Sequence, residues 1–219
     1  MTRPLNFKSR PAQSGKTKSV VIFVHGYGAD GADLIGLADP LAPHLPDTAF
    51  YSPDAPTRVP GAPFGYQWFP IPWLDGSSEE EAAKGMEAAV ADLNAFIDIV
   101  LAREDIGIDR LALFGFSQGS MMSLHVAPRR EEEMAGVVAF SGRLLRPEKL
   151  GSESQVRPPV MLVHGDADQV VPFDDMRKAA EALMEAGFET YGHVMKGTGH
   201  GIAPDGLGVA LNFLKDRLE

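Results

Sequence analysis

LALFGFSQGS, residues 111–120, is the stretch on which the reading of the fold turns. An apolar run ends in Gly115-Phe116-Ser117-Gln118-Gly119, the pattern G-x-S-x-G, and a helix-compatible run follows. Strand before and helix after is the context a nucleophile elbow requires. The serine of such an elbow sits on a tight, strained turn. Gly115 and Gly119 leave room where a Cβ would collide with neighbouring chain, and the Ser117 hydroxyl then projects above the sheet. The N–H of Gln118 falls at a helix start, where the dipole favours negative charge. The ordinary alternative is a glycine-flanked serine that caps a helix. Ser120 and Ser123 are rival nucleophiles, but both lie inside the predicted helix and lack the glycine pair.

A serine hydroxyl needs a base to take its proton, and the base needs an orienting carboxylate. In the order this elbow implies, acid and then histidine follow the serine. HGDADQVVP, residues 164–172, follows a predicted strand, so its carboxylates lie on the face where α/β sheets carry their sites. Asp166 and Asp168 are both candidates. Asp168 lies further into the turn and fits best, whereas Asp166 suits a turn cap. Of the histidines after Ser117, His125 falls on the following helix, His164 ends a strand and His193 lies within one. His200, in KGTGHGI, sits in a glycine-rich loop long enough to return to the serine, and is the expected base. No pair of histidines has convincing metal-ligand spacing.

The rest of the chain reads as strand–helix alternation. Predicted strands cover 20–24, 49–52, 110–116, 136–141, 160–164 and 190–195; predicted helices cover 33–44, 79–104, 118–127, 174–186 and 204–218. The strands are continuous apolar runs, as strands buried on both faces are. Met86, Val90, Leu93, Ile97 and Val100 recur at helical spacing along one face of 79–104. The expectation is one three-layer α/β domain over 19–219 with a mostly parallel sheet, preceded by a loose arm over 1–18. Residues 56–76, PTRVPGAPFGYQWFPIPWLDG, interrupt the pattern with Phe64, Tyr66, Trp68, Phe69 and Trp73. So long a loop is commonly functional, and its aromatics suit a substrate wall, a satellite hydrophobic cluster or a homodimer contact.

Composition narrows the function. A chain of 219 residues with 44% hydrophobic residues can bury a full core. A net charge of −10 argues against nucleic acid and anionic membrane as partners. The absence of cysteine excludes disulfides, thiolate zinc sites and a cysteine nucleophile. The first residues are polar and broken by prolines, with no signal-like apolar core and no later run suited to a membrane span, so a cytoplasmic location is expected. No cofactor or metal is expected.

VVIFVHGYGADG, residues 20–31, raises a rival, because Gly26, Gly28 and Gly31 match the G-x-G-x-x-G of a dinucleotide site. Such a site wants an acid at the end of the second strand. Asp47 precedes that strand, and Asp54 follows it beyond a proline. The rival explains neither Ser117 nor His200. Gly15-Lys16-Thr17 resembles the tail of a P-loop, but it precedes a strand and has Arg10 where glycine is required. A third reading is a non-catalytic small-molecule-binding protein on a hydrolase scaffold. Such proteins usually lose a triad member, and here all three are present.

HGYGADG, GFSQGSMMSLH, HGDADQVVP and GTGHGI, in this order, resemble the phospholipase/carboxylesterase family of α/β-hydrolase enzymes. The resemblance spans about residues 20–218. It implies a carboxylesterase acting on small-molecule esters, thioesters or lysophospholipids. Ser117 would be the nucleophile, Asp168 the acid and His200 the base. The backbone N–H groups of Tyr27 and Gln118 would form the oxyanion hole. Trp68, Phe69 and Ile71, with Val171 beside the acid, would bind substrate. Gly142-Arg143-Leu144-Leu145 departs from the bulky apolar residues common after this strand in thioesterase-like members.

Overall fold

The computed structural model describes residues 2–219; the side chain of Trp73, one of the loop aromatics, lies outside that description. The sheet starts with β1 (Phe7–Arg10), β2 (Ser19–Val24) and β3 (Thr48–Pro53), which enclose the short helices α1 (Gly31–Ile35) and α2 (Ala38–Leu41). The hairpin β4 (Thr57–Arg58) and β5 (Tyr66–Gln67) leads to α3 (Pro72–Asp75) and the long α4 (Glu79–Glu104). Then come β6 (Leu111–Phe116), α5 (Gln118–Val126), β7 (Gly136–Phe140) and α6 (Pro147–Glu153). The chain ends with β8 (Val160–Gly165), α7 (Asp174–Glu185), β9 (Thr190–Met195) and α8 (Pro204–Leu218). The described residues form a seven-stranded sheet in the order β1-β3-β2-β6-β7-β8-β9. Its pairs are parallel except β1 with β3. This is the mostly parallel sheet expected from the strand–helix alternation, in the α/β-hydrolase arrangement that the resemblance implied.

Burial on both faces accounts for the apolar strand runs. Ile22, Leu113 and Leu162 meet Leu93 and Ile97 of α4 and Leu183 of α7 on one face. Phe23, Phe50, Phe114 and Phe140 meet Leu34, Leu41 and Leu214 of α1, α2 and α8 on the other. Phe114 and Phe140 stack with centroids 5.0 Å apart, and Phe23 meets the edge of Phe114 at 5.3 Å. Fully burying one such side chain contributes about 1.5–3 kcal/mol. α4 begins at a capping box: Ser78 Oγ accepts the Glu81 N–H (3.1 Å), and Glu81 Oε2 accepts the Ser78 N–H (2.7 Å).

Two expectations are corrected. The segment 33–44 is not one helix. It breaks after α1, restarts as α2 and ends in a 3-10 turn, Ala42–His44. Pro40 and Pro43 lack the N–H that a continuous helix would need there. The first residues are not a loose arm either. Residues 7–10 pair in register with β3, and the Phe7 ring lies 5.6 Å from that of Tyr51 and 5.5 Å from that of Phe96. Upstream, Arg3 grips Asp92, a carboxylate only 2% exposed on α4, through its backbone N–H (2.6 Å), Nε (2.8 Å) and a second guanidinium nitrogen (2.7 Å). The buried acid that fixes the arm is distant in sequence, so composition alone does not reveal it. Among the described residues no helix is long and apolar enough to cross a membrane.

Candidate active site

Strand order reverses at the β2–β6 pair, and ligands of open α/β sheets bind at the C-terminal ends of such strands. Val24 is in register with Gly115, so the turns after β2 and β6 leave the sheet side by side. The approach is close: a Cβ on Gly119 would sit 1.8 Å from the Val24 carbonyl oxygen, and one on Gly115 would sit 2.5 Å from that of Gly119. Glycine at both positions is therefore a steric requirement of the elbow. Ser117 holds φ 54° and ψ −116°, a conformation side chains rarely adopt. Its N–H donates to the Phe140 carbonyl (2.9 Å), which fixes the strained turn to β7.

His200 reaches this serine from the loop after β9. Its Nε2 lies 3.0 Å from Ser117 Oγ, and its Nδ1 lies 2.7 Å from Asp168 Oδ2. The other carboxylate oxygen, Oδ1, accepts the N–H groups of Val170 (2.8 Å) and Val171 (2.9 Å). Burial alone would raise the Asp168 carboxyl. The hydrogen bonds from His200, Val171 and Val170 outweigh that and hold it below its ordinary value. An ionised Asp168 can only accept, so Nδ1 of His200 carries the proton and Nε2 is bare toward the hydroxyl. The sequence-predicted Ser117, Asp168 and His200 thus form one continuous hydrogen-bonded line.

Two supports of this line escape a search for triad residues. His164 is buried; its Nε2 lies 3.0 Å from the Val171 carbonyl, to which it donates, and 3.2 Å from Asp168 Oδ2. Asp166 Oδ1 accepts the Gly197 N–H (2.6 Å), and the Ala167 N–H donates to the Thr198 carbonyl (3.0 Å). The turn bearing the acid therefore holds the loop bearing the base. The spacing HGDAD was a visible signal of a structured turn, without showing which group each carboxylate would take. The rival serines are occupied. Ser120 Oγ bonds the Gly115 (2.8 Å) and Phe140 (2.6 Å) carbonyls, and Ser123 Oγ bonds the Gly119 carbonyl (2.8 Å). His193 meets Asp205 at 2.8 Å, away from the serine. His125, buried beside Arg129 and Arg146, is pushed down to about 4, first by burial and then by those cations.

The turn after β2 brings Gly26, Tyr27 and Gly28 to the serine. With Phe64, Phe116, Ser117 and His200 they line an open cleft of ≈ 590 Å³. Among the described residues no protein acceptor takes the backbone N–H of Tyr27 or of Gln118. His25 behind the turn is buried, which lowers its pKa and keeps the ring neutral. Its Nε2 accepts the Ala55 N–H (2.9 Å), so Nδ1 carries the proton and donates to the Gly26 carbonyl (2.7 Å). Burial and then the Asp75 carboxylate raise the Tyr27 phenol, which stays neutral.

A second, more apolar cavity of ≈ 280 Å³ lies among Phe69, Ile71, Met86, Met121, Leu145 and Arg143. Met121 belongs to the first turn of α5, its N–H donating to the Ser117 carbonyl (3.2 Å). Phe69 and Ile71, two of the expected substrate contacts, line this cavity. Two other expected substrate contacts do not. Trp68, only 1% exposed, is packed in the core and lines neither cavity. Its indole donates to the His25 carbonyl (3.0 Å), a polar end that suits burial. Val171 is also buried, and its contribution is backbone: its N–H on Asp168 and its carbonyl on His164. Among the described residues no group of three or more His, Cys, Asp or Glu is gathered to hold a metal ion.

Comparisons with known proteins bear on the fold and the family. The solved esterase PE8 superposes with a TM-score of 0.93 at 41% identity, covering 99% of this chain and 100% of that one. Acyl-protein thioesterase 1 of Neurospora crassa is 30% identical over 91% of this chain and 87% of its own length. Acyl-protein thioesterase 1 of Debaryomyces hansenii is 28% identical over 95% of both. The phospholipase/carboxylesterase family model matches residues 11–218. The family model thus covers nearly the whole chain, and the protein belongs to the phospholipase/carboxylesterase family.

Proposed function

We propose that the chain is a serine hydrolase of carboxylic esters that works through an acyl-enzyme on Ser117. The line Ser117 Oγ to His200 Nε2 (3.0 Å), His200 Nδ1 to Asp168 (2.7 Å) carries the reading. Ser117 Oγ attacks the ester carbonyl while its proton passes to His200 Nε2. Asp168 stays ionised and stabilises the imidazolium without taking its proton. The carbonyl oxygen becomes an oxyanion between the N–H groups of Tyr27 and Gln118, each such donor typically contributing about 3 kcal/mol. The tetrahedral adduct collapses, the bond to the leaving oxygen breaks, and that oxygen takes the proton from His200. Water then gives a proton to His200 and attacks the acyl-enzyme; the acid departs and Ser117 recovers its proton.

The apolar cavity at Phe69 and Ile71 is the acyl site in this reading, and the open cleft at Tyr27 and Phe64 receives the alcohol. At ≈ 280 Å³ the acyl cavity lies just below the usual range of ligand pockets, roughly 300–1,000 Å³, which favours short and medium acyl chains. Thioesters follow the same route with a thiol leaving. Phe64, 74% exposed at the cleft, is the residue on which a homodimer contact would rest, and sedimentation velocity tests it. A cytoplasmic location is tested by cell fractionation. The direct test of the function is Ser117→Ala assayed on p-nitrophenyl butyrate. Activity should fall by about 10⁴-fold or more with the fold intact; activity within tenfold of the parent overturns the assignment.

A further inference from the structure

Residues 66–69 are hydrogen-bonded on two sides at once. On one side they meet the turn that carries Tyr27. The Gly28 N–H donates to the Tyr66 carbonyl (2.8 Å), the Tyr66 N–H to the Ala29 carbonyl (2.8 Å), and the Trp68 indole N–H to the His25 carbonyl (3.0 Å). On the other side they meet Gln118. The Trp68 backbone N–H donates to Gln118 Oε1 (2.8 Å), and Gln118 Nε2 donates to the Phe69 carbonyl (2.8 Å). His25, Trp68 and Gln118 are all buried, so these bonds are shielded from competing water.

We propose that Trp68 is a positioning residue of the oxyanion site. It ties the turn bearing the Tyr27 amide to the side chain of Gln118, and so fixes the separation of the two amide donors. This rests on the reading of Tyr27 and Gln118 as oxyanion donors given above. The two amides leave the sheet on different elements, one after β2 and one at the start of α5. The strand pairing brings those elements together, but the turns beyond it need their own connection. Trp68 supplies it without a hydrogen bond to the nucleophile or the base. Donor placement matters most in the transition state, when charge develops on the carbonyl oxygen, and little in the ground state. A loosened brace therefore lowers kcat and spares KM.

A large buried aromatic could equally serve packing alone, and the indole N–H separates the two roles. Trp68→Phe keeps an aromatic ring in the core but leaves the His25 carbonyl without that donor. Gln118→Leu keeps the backbone amide of residue 118 but removes both side-chain bonds to 68–69. Both variants are assayed on p-nitrophenyl esters of increasing acyl length. Folded, competent molecules are counted by titration with a p-nitrophenyl phosphonate. For each, kcat per titrated site should fall about ten- to a hundredfold, equally across chain lengths, with KM changed by less than about twofold. Affinity for an alkyl boronic acid, whose tetrahedral serine adduct places an oxygen in the oxyanion site, should fall by a similar factor. The double variant should lose less than the product of the single losses, because both cut one brace. Unchanged kcat per titrated site in both variants, with only thermal stability reduced, overturns the proposal. So does a shift in chain-length preference, which would make Trp68 an acyl wall after all. Gln118→Leu alone decides the matter where Trp68→Phe does not fold. Failure of the esterase reading looks different: the phosphonate would then not label Ser117 in the parent protein.

Discussion

Two walls meet at Ser117, and they are built in different ways. On one wall, Asp168 and His200 are joined by side-chain hydrogen bonds between ionisable groups, and the geometry prepares a proton transfer. On the other, the Tyr27 turn, Trp68 and Gln118 are joined mainly through backbone groups, and no group there changes its protonation. Each wall contains a buried or part-buried histidine whose second nitrogen is held by the protein. His200 directs its bare nitrogen at a hydroxyl and can act as a base. His25 directs its bare nitrogen at a backbone N–H, which occupies it. What a histidine does near this serine is thus decided by the partner of each nitrogen. Distance from the site is a poor guide.

The largest loss of turnover should come from the proton wall. Asp168→Asn preserves shape but favours the wrong tautomer of His200, so kcat should fall roughly 10³–10⁴-fold with KM little changed. Steady-state kinetics on p-nitrophenyl butyrate check this. A loss under tenfold would mean that the carboxylate does not orient the base. The oxyanion wall should respond more weakly, since Trp68→Phe displaces donors without removing them. If the two substitutions cost the same, the walls are not distinct in kind.

The smallest effect on turnover should come from neither wall. Arg3→Ala leaves Asp92 buried without its cation, and neither residue lines either cavity. Unfolding should be easier by about 1–3 kcal/mol, a melting-temperature drop of several degrees for a chain of this size. kcat at a temperature well below melting should be unchanged. Differential scanning calorimetry with a parallel kinetic assay checks both parts. A changed kcat would show that the anchored N-terminus reaches the site.

The proton wall was legible in the sequence because its chemistry restricts residue types. A nucleophile elbow tolerates only glycine at 115 and 119, and a base must be a histidine able to return from a later loop. A mostly parallel sheet, though not its strand order, followed from strand–helix alternation and from apolar runs that Ile22 and Phe23 now explain, one on each face. The oxyanion wall was only half legible. The glycines of residues 20–31 pointed to an anion-facing turn, yet Trp68 read as a substrate wall. Aromatic residues in a proline-rich loop look alike whether they face substrate or core. Burial and the indole N–H on the His25 carbonyl separate the cases, and that carbonyl lies 43 residues away in sequence. Val171 was misread for a similar reason: its function resides in backbone groups, which every residue type carries. The arm over 1–18 hid its strand because Phe7 is anchored by Tyr51 and Phe96, far along the chain.

The central claim is that Ser117 carries the acyl group between the two walls. Rapid mixing with a p-nitrophenyl ester, acid quenching and mass spectrometry of the digested protein test it most directly. A transient mass increase equal to the acyl group is expected, confined to the peptide containing Ser117 and absent from His200→Ala. An acyl adduct on Ser120, Ser123 or Tyr27, or turnover with no adduct at any quench time, would contradict it.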